Sequence, residues 1–434
     1  MSVGAANALA IAGGRPAVAP DSHVRWPVIT ASDREAIARV LDRGVLWGPN
    51  APEVGHLQEE WANYVGTRHC LLVNSGTAAL HCALVACGVG PGDEVVVPAF
   101  SFVATAMAVI HAGAVPVFCD IDPELHSIDT RLIEERLTER TRAVLPVHVH
   151  GLPADMEELR TICRGHGLAV VEDACQGHGA LYRGVRVGAL GDAGAFSLNG
   201  SKLLAAGEGG LLVSNDDDAF VAARRLAIFG EDTPPLPSPT HTRAYWSHGT
   251  GWNYRSSELV AALARSQLRR LDDWVAIAQR NAAILTEGLR DLPGFGPPQI
   301  PEDRTSVFYR YRIRLRPEEL GWSGPPLELR DRLLHALRGE GIAADLWQLL
   351  PLPAQPALHR PLARWDPQEH PEAMRLLERS IVLGTADEPI FCQPPELVAC
   401  YLAGFQKVVA GLERVLTGEY PRIEPWPPWW PPPL

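Results

Sequence analysis

The chain has 434 residues, of which 46% are hydrophobic and 21% charged, and it carries a formal charge of −12 at pH 7. This length allows a large core and two lobes, and the composition is that of an ordinary globular protein. The acidic balance and the lack of a dense Lys/Arg stripe argue against a nucleic-acid partner.

The N-terminus lacks the basic region and apolar stretch of a signal peptide. Ser32 reads as the N-cap of an amphipathic helix running to Gly44, and residues 54–66 read as a second helix. A strand–helix alternation then begins. Strands at 69–73, 93–98, 115–120, 142–149 and 168–173 alternate with helices at 77–87, 102–112, 130–138 and 155–165, and short strands follow at 193–198 and 210–214. This rhythm predicts an α/β fold with a mostly parallel, seven-stranded-type sheet flanked by helices on both faces. Residues 95–119 contain no Asp, Glu, Lys or Arg, and hydropathy alone would read them as a membrane span. Pro98, Gly113 and Pro116 instead cut the run into strand, helix and strand, as expected of buried parallel strands. No membrane partner is expected.

Residues 231–240 form a proline-rich loop, and a long helical stretch at 256–290 joins the two lobes. The pattern then changes to a strand at 307–316, a helix at 327–340, an irregular region to 370, and helices at 371–379 and 394–416. This is a smaller α+β lobe. Arg310, Arg312, Arg314 and Arg316 alternate along its strand and read as a solvated face. The division is a large domain at 1–285, a small C-terminal domain at 286–418 and a Pro/Trp-rich tail at 419–434. The eight cysteines lie mostly in apolar runs without a CxxC pair. They predict reduced, buried thiols and a cytoplasmic protein.

Ligands on such sheets gather at the carboxyl ends of strands, where four features fall. In "NSGTAAL" (74–80), Gly76 permits a tight turn, and the first helix amides at Thr77 and Ala78 can cradle a phosphate; an ordinary helix cap explains the same residues equally well. In "PAFSFVAT" (98–105), Phe102 would project an aromatic face, the alternative being a core phenylalanine. Asp173 ends an apolar strand, where a buried carboxylate needs a cation. Beside it, Glu172 points to the other face as a structural residue and His178 reads as a buried histidine. His148 and His150 share a strand face without a third ligand, so no metal site is expected.

The fourth feature is "SLNGSKLLAAGEGG" (197–210). Only Lys202 and Lys407 are lysines among 39 basic residues. A lysine amine can form a Schiff base, which arginine cannot, and Ser197 adds a hydroxyl upstream. Phosphate cradle, aromatic plate, acid and Schiff-base lysine together fit pyridoxal 5′-phosphate, whose ring acts as an electron sink when its nitrogen stays protonated.

With "VPAFSFVATAMAVIHAGAVPVFCDID", "HGLPADM", "VEDACQGHGA" and "GWNYRSSELVAALARSQLRRLD", these blocks stand in an order that resembles the DegT/StrS-type aminotransferases, fold-type I PLP enzymes that aminate keto-sugars and ketocyclitols. The match runs from "GGRPAVAP" to "FQKVVAGL" and is most specific between 46 and 265. The resemblance implies that Lys202 carries the cofactor as an aldimine and moves the substrate proton. It further implies that Asp173 pairs with the pyridinium nitrogen, Gln176 approaches the ring's 3-hydroxyl, Phe102 stacks on the ring, and Gly76, Thr77 and Ser197 hold the phosphate. It implies a homodimer with a shared active site, completed by Asn253 (Arg255 being a second candidate) from the neighbouring subunit. An amino-acid donor, glutamate or glutamine, and a small-molecule ketone would be the substrates.

The segments "GGRPAVAP" and "GVLWGPN" (44–50) are closer to the aminocyclitol and aminohydroxybenzoate branch than to the nucleotide-sugar branch. Trp47 lies near the substrate mouth or serves packing. "GSKLL" and "SIVLGTADEPIFCQPPEL" depart from commoner family forms where specificity is set, which points to bacterial secondary-metabolite biosynthesis. The alternatives are a PLP-dependent dehydratase or eliminating enzyme of the aminohydroxybenzoate-synthase type, and a non-catalytic regulatory homologue. The sugar-dehydratase relatives replace the aldimine lysine with histidine, and Lys202 argues against that subgroup.

Overall fold

The computed structural model describes residues 8–47, 51–231, 246–358 and 366–423. The proline-rich loop beyond Glu231 and residues 424–434 of the tail lie outside the described residues. The chain divides into two packed units, one drawn from 27–276 and 300–309, the other from 1–26, 277–299 and 310–434.

The first unit is built on seven strands: β1 His69–Val73, β2 Glu94–Pro98, β3 Val115–Cys119, β4 Thr141–Val144, β5 Ala169–Asp173, β6 Ala193–Ser197 and β7 Gly210–Ser214. Their order is β1-β7-β6-β5-β4-β2-β3. β7 runs antiparallel to both neighbours, and every other pairing is parallel. Burial on both faces explains the unbroken apolar runs: Val95, Val96 and Val97 in β2 and Leu211, Leu212 and Val213 in β7 are all fully buried. Gly210 pairs with both Val73 and Ser197, so the ends of β1 and β6 are level beside the start of β7. Residues 95–119 form strand, helix (Ala104–His111) and strand, and among the described residues no helix is long and apolar enough to cross a membrane.

Several local expectations are corrected. The first helix, Ala31–Arg43, is capped by Thr30 in a reciprocal capping box with Asp33, not by Ser32. Residues 130–138 form two short 3-10 turns, Thr130–Leu132 and Glu134–Arg136, because the Asp129 carboxylate accepts from the backbone and guanidinium of Arg131 and holds the segment tight. The strand expected over 142–149 ends at Val144; Pro146 offers no ladder donor, and His150 lies in the left-handed region at φ 56°. His148 and His150 therefore share no strand face. The stretch 256–290 is two helices, Glu258–Leu268 and Leu271–Leu289, and 394–416 breaks at Gly411 into Pro395–Ala410 and Leu412–Thr417.

The second unit holds an antiparallel four-stranded sheet in the order Phe295–Gly296, Tyr311–Leu315, Ser380–Leu383 and Ala344–Asp345. The arginines at its second strand do not all face solvent. Arg310 and Arg312 are both buried, and Arg312 pairs across the ladder with Val382. Arg312 donates to Ser380 Oγ at 2.6 Å, and burial pushes its guanidinium down to about 9.

The described N-terminal residues, from 8 to 26, belong to this unit. The reason lies in one buried carboxylate. Glu340 accepts from the amides of Ala10 (2.7 Å) and Ala17 (3.0 Å) and from Lys407 Nζ (2.5 Å), while Lys407 also donates to Arg15 O at 2.6 Å. The second lysine is thus a staple for the N-terminal segment. All eight cysteines are free thiols, five of them buried.

Candidate active site

All eight sequence-selected site residues belong to the first unit. At the end of β1 the chain turns at Ser75 into the helix Gly76–Ala86, and Ser75 Oγ accepts from Ala78 N at 3.1 Å. The amides of Gly76 and Thr77 have no partner within the helix, so they and the helix dipole suit an anion. Two glycines let other strands close on this turn. A Cβ on Gly76 would lie 2.8 Å from Ser197 Cβ and 3.1 Å from Cys175 Sγ, and one on Gly210 would lie 2.2 Å from Ser75 O. Only bare backbone allows Ser197, at the end of β6, to meet the helix start.

Asp173, at the end of β5, is 5% exposed. Its Oδ2 accepts from Thr105 Oγ1 at 2.8 Å and its Oδ1 from Cys175 N at 3.2 Å. Ser101 Oγ lies 2.8 Å from Thr105 Oγ1; since the Thr105 proton goes to Asp173, Ser101 is the donor there. Neighbouring Glu172 is buried on the opposite face and accepts from His148 Nε2 (2.9 Å) and the amides of Gly188, Leu190 and Gly191. That carboxylate is committed to structure. Phe102 is 53% exposed, while Phe100 is fully buried. Phe102 is therefore not a core phenylalanine, and its ring is available to cover a flat ligand.

Lys202 follows a turn in which Asn199 O accepts from Lys202 N at 2.9 Å and Asn199 Oδ1 accepts from Ser201 N at 3.0 Å. Its Nζ lies 3.3 Å from Tyr309 Oη and 4.5 Å from the centre of that ring. The charges of Lys202 and Asp173 both act on Cys175. Burial chiefly, and then Asp173, push its thiol well above the usual range, with Lys202 opposing. Burial, and secondarily the Lys202 charge, hold His178 down to about 3, so its ring is neutral between Trp61 and Phe196.

Gln176 is buried, and its Oε1 accepts from His150 N at 2.8 Å. Its amide NH₂ is the end that can serve a ligand. Asn253 is exposed beside the end of β1: its carbonyl accepts from Asn74 Nδ2 at 3.3 Å, and its Oδ1 accepts from Arg255 Nε at 3.0 Å. Trp47 is 60% exposed, with the Arg255 guanidinium 5.2 Å from its ring centre. Thr105, Ser101 and Tyr309 were not singled out in the sequence. Thr105 and Ser101 lie inside a quoted block, but nothing in the sequence pairs them with an acid 68 residues later. Among the described residues, no three His, Cys, Asp or Glu side chains are grouped to hold a metal ion.

These residues fit pyridoxal phosphate: an anion-binding helix start pressed against Ser197, a buried acid with hydroxyl and amide donors, an uncovered aromatic ring and a lysine amine. Comparison with known proteins agrees. The model of the DegT/DnrJ/EryC1/StrS aminotransferase family matches residues 27–388. The L-glutamine:2-deoxy-scyllo-inosose aminotransferase of Streptomyces lividus is 41% identical over 322 residues, 71% of this chain and 74% of its own. The GDP-perosamine synthase of Caulobacter vibrioides is 36% identical over 298 residues, 68% and 78% of the two chains. The crystal structure of 3-amino-5-hydroxybenzoic acid synthase superposes with a TM-score of 0.80 at 28% identity, covering 90% of this chain and 99% of that one.

Proposed function

The chain belongs to the DegT/DnrJ/EryC1/StrS aminotransferase family, and from that premise we propose that it transfers an amino group from glutamine or glutamate to a keto-cyclitol or keto-sugar in bacterial secondary metabolism. The observation that carries this reading is the meeting of Gly76, Ser197, Cys175 and Asp173 around one helix start, with the Lys202 charge acting on the same thiol. The similarity to an inosose aminotransferase supports a cyclitol ketone and glutamine as donor.

Pyridoxal phosphate, when bound, supplies an electrophilic carbonyl and an electron-withdrawing ring. The chain's residues divide the remaining work. Gly76, Thr77 and Ser197 bind the phosphate through backbone amides and a hydroxyl. Asp173 keeps a proton on the ring nitrogen, and Thr105 and the Cys175 amide hold the carboxylate in place for that role. Gln176 donates toward the 3-hydroxyl, and Phe102 covers one face of the ring. Lys202 would bond the cofactor through its ε-amine and, when that amine is free, would move the proton at the donor's Cα. Asn253 serves the site of a partner subunit, so the working form is a homodimer. The protein acts in the cytoplasm.

The test uses the purified holoprotein. Its visible absorbance should bleach with glutamine or glutamate and return on adding the matching ketone, with 2-deoxy-scyllo-inosose and nucleotide-linked ketosugars as the first candidates. Lys202→Arg and Lys202→Ala should lose both the absorbance and transamination. Normal turnover in either variant would overturn the assignment.

A further inference from the structure

Residues 300–309 return to the first unit after a stretch that belongs to the second. They are fastened there at several points. Arg304–Thr305 pairs antiparallel with Leu181–Tyr182, and buried Arg304 donates to Pro153 O at 3.1 Å. Val307 N donates to Gly151 O at 3.1 Å, just after His150, whose amide Gln176 holds. Phe308 N donates to Ser306 Oγ at 3.1 Å, and Phe308 itself adopts φ 44°. A bulky L-residue in the left-handed region carries strain that persists only where its surroundings enforce it, and such strain concentrates at functional sites.

What the turn delivers is Tyr309. The ring is 3% exposed, and its hydroxyl lies 3.3 Å from Lys202 Nζ and 3.3 Å from Ser201 Oγ, with Nζ 4.5 Å from the ring centre. The hydroxyl accepts from the amine, and the ring face attracts its positive charge. A lysine that leaves its bond to a cofactor and must return to it needs a resting place. Its four-carbon stem otherwise samples many rotamers.

We propose that Tyr309 is a positioning residue for Lys202, holding the ε-amine at the site whenever it is not covalently engaged. This rests on the reading of Lys202 above, but the contact can be tested separately. The chain has only two lysines, so Lys407, paired with Glu340, is an internal reference. Apoprotein is treated with a limiting amine-acylating reagent, and the labelling ratio of the Lys202 and Lys407 peptides is measured by mass spectrometry. Tyr309→Phe keeps the ring and removes the hydroxyl; it should raise the Lys202:Lys407 ratio about 5-fold, as expected for loss of one hydrogen bond, at unchanged thermal stability. Phe308→Gly keeps the hydroxyl but relaxes the turn, and should raise the ratio by less. A Tyr309→Phe ratio equal to wild type overturns the positioning role. In a parallel arm, apoprotein is mixed with pyridoxal phosphate and reduced with borohydride. An adduct at Lys202 with an unchanged acylation ratio overturns only the role of Tyr309; no adduct at Lys202 overturns the reading of Lys202 itself.

Discussion

The Thr105 hydroxyl donates a 2.8 Å hydrogen bond to the Asp173 carboxylate, joining the helix after β2 to the end of β5. Thr105→Val keeps the shape and removes the donor. Turnover should fall about 10-fold, the scale of one hydrogen bond to a charged group, with the cofactor still bound by absorbance. Asp173→Asn, which removes the charge as well, should be slower still. Wild-type rates in Thr105→Val would show that the carboxylate needs no such support.

Gly76 sits where a side chain has no room, 2.8 Å short of Ser197 Cβ. Gly76→Ala should push β6 away from the helix start, weakening cofactor binding at least about 10-fold and destabilising the fold by about 1–3 kcal/mol. Titrating apoprotein with pyridoxal phosphate reads the first effect, and urea denaturation the second. An unchanged affinity would remove the phosphate from this turn.

Lys407 and Glu340 form a pair in which the carboxylate is wholly buried. Lys407→Ala leaves that charge uncompensated and should cost about 3 kcal/mol, while the bound-cofactor absorbance at saturating cofactor stays intact. Loss of absorbance without loss of stability would mean that the two lysines have been assigned the wrong way round.

Two histidines make the fold acid-sensitive. Burial, helped by His111, lowers His81 to about 4, and burial, helped by Lys202, lowers His178 to about 3. In both cases the folded value lies below the ordinary one near 6.5, so the unfolded chain takes up the proton first. Their contribution is present above about pH 6.5 and is lost as pH falls toward 4 and then 3, at up to about 1.4 kcal/mol per pH unit for each group. Urea midpoints between pH 7 and 5 should fall less steeply in His178→Phe than in wild type. Parallel curves would exclude His178 as a source.

If Asn253 serves the partner's site, Lys202→Ala and Asn253→Ala lie in different halves of each active site. Each variant alone should be impaired, and subunits mixed by unfolding and refolding together should regain activity. No recovery in a mixed dimer verified by mass would place Asn253 outside the shared site.

Much of this was legible in one dimension. Apolar runs broken by Pro98 and Gly113 report strands buried on both faces, and the βα rhythm places candidate residues at strand ends without any knowledge of strand order. Chemistry also shows: a lysine among arginines and an acid ending an apolar strand are local facts. Less visible were features set by neighbours. Arg310 and Arg312 alternate like a solvated face, yet both are buried by the packing around them. The expected helix at 130–138 gave way to tight turns around Asp129.

The amino-acid sequence by itself determined the alternation of elements and the one lysine available for Schiff-base chemistry, because these depend on local patterning and side-chain type. Only the tertiary structure decided which distant groups meet. Hydrogen bonds and close packing act over a few ångströms of space, not along the chain. Thr105 therefore finds Asp173 across 68 residues, and Tyr309 reaches Lys202 across 107.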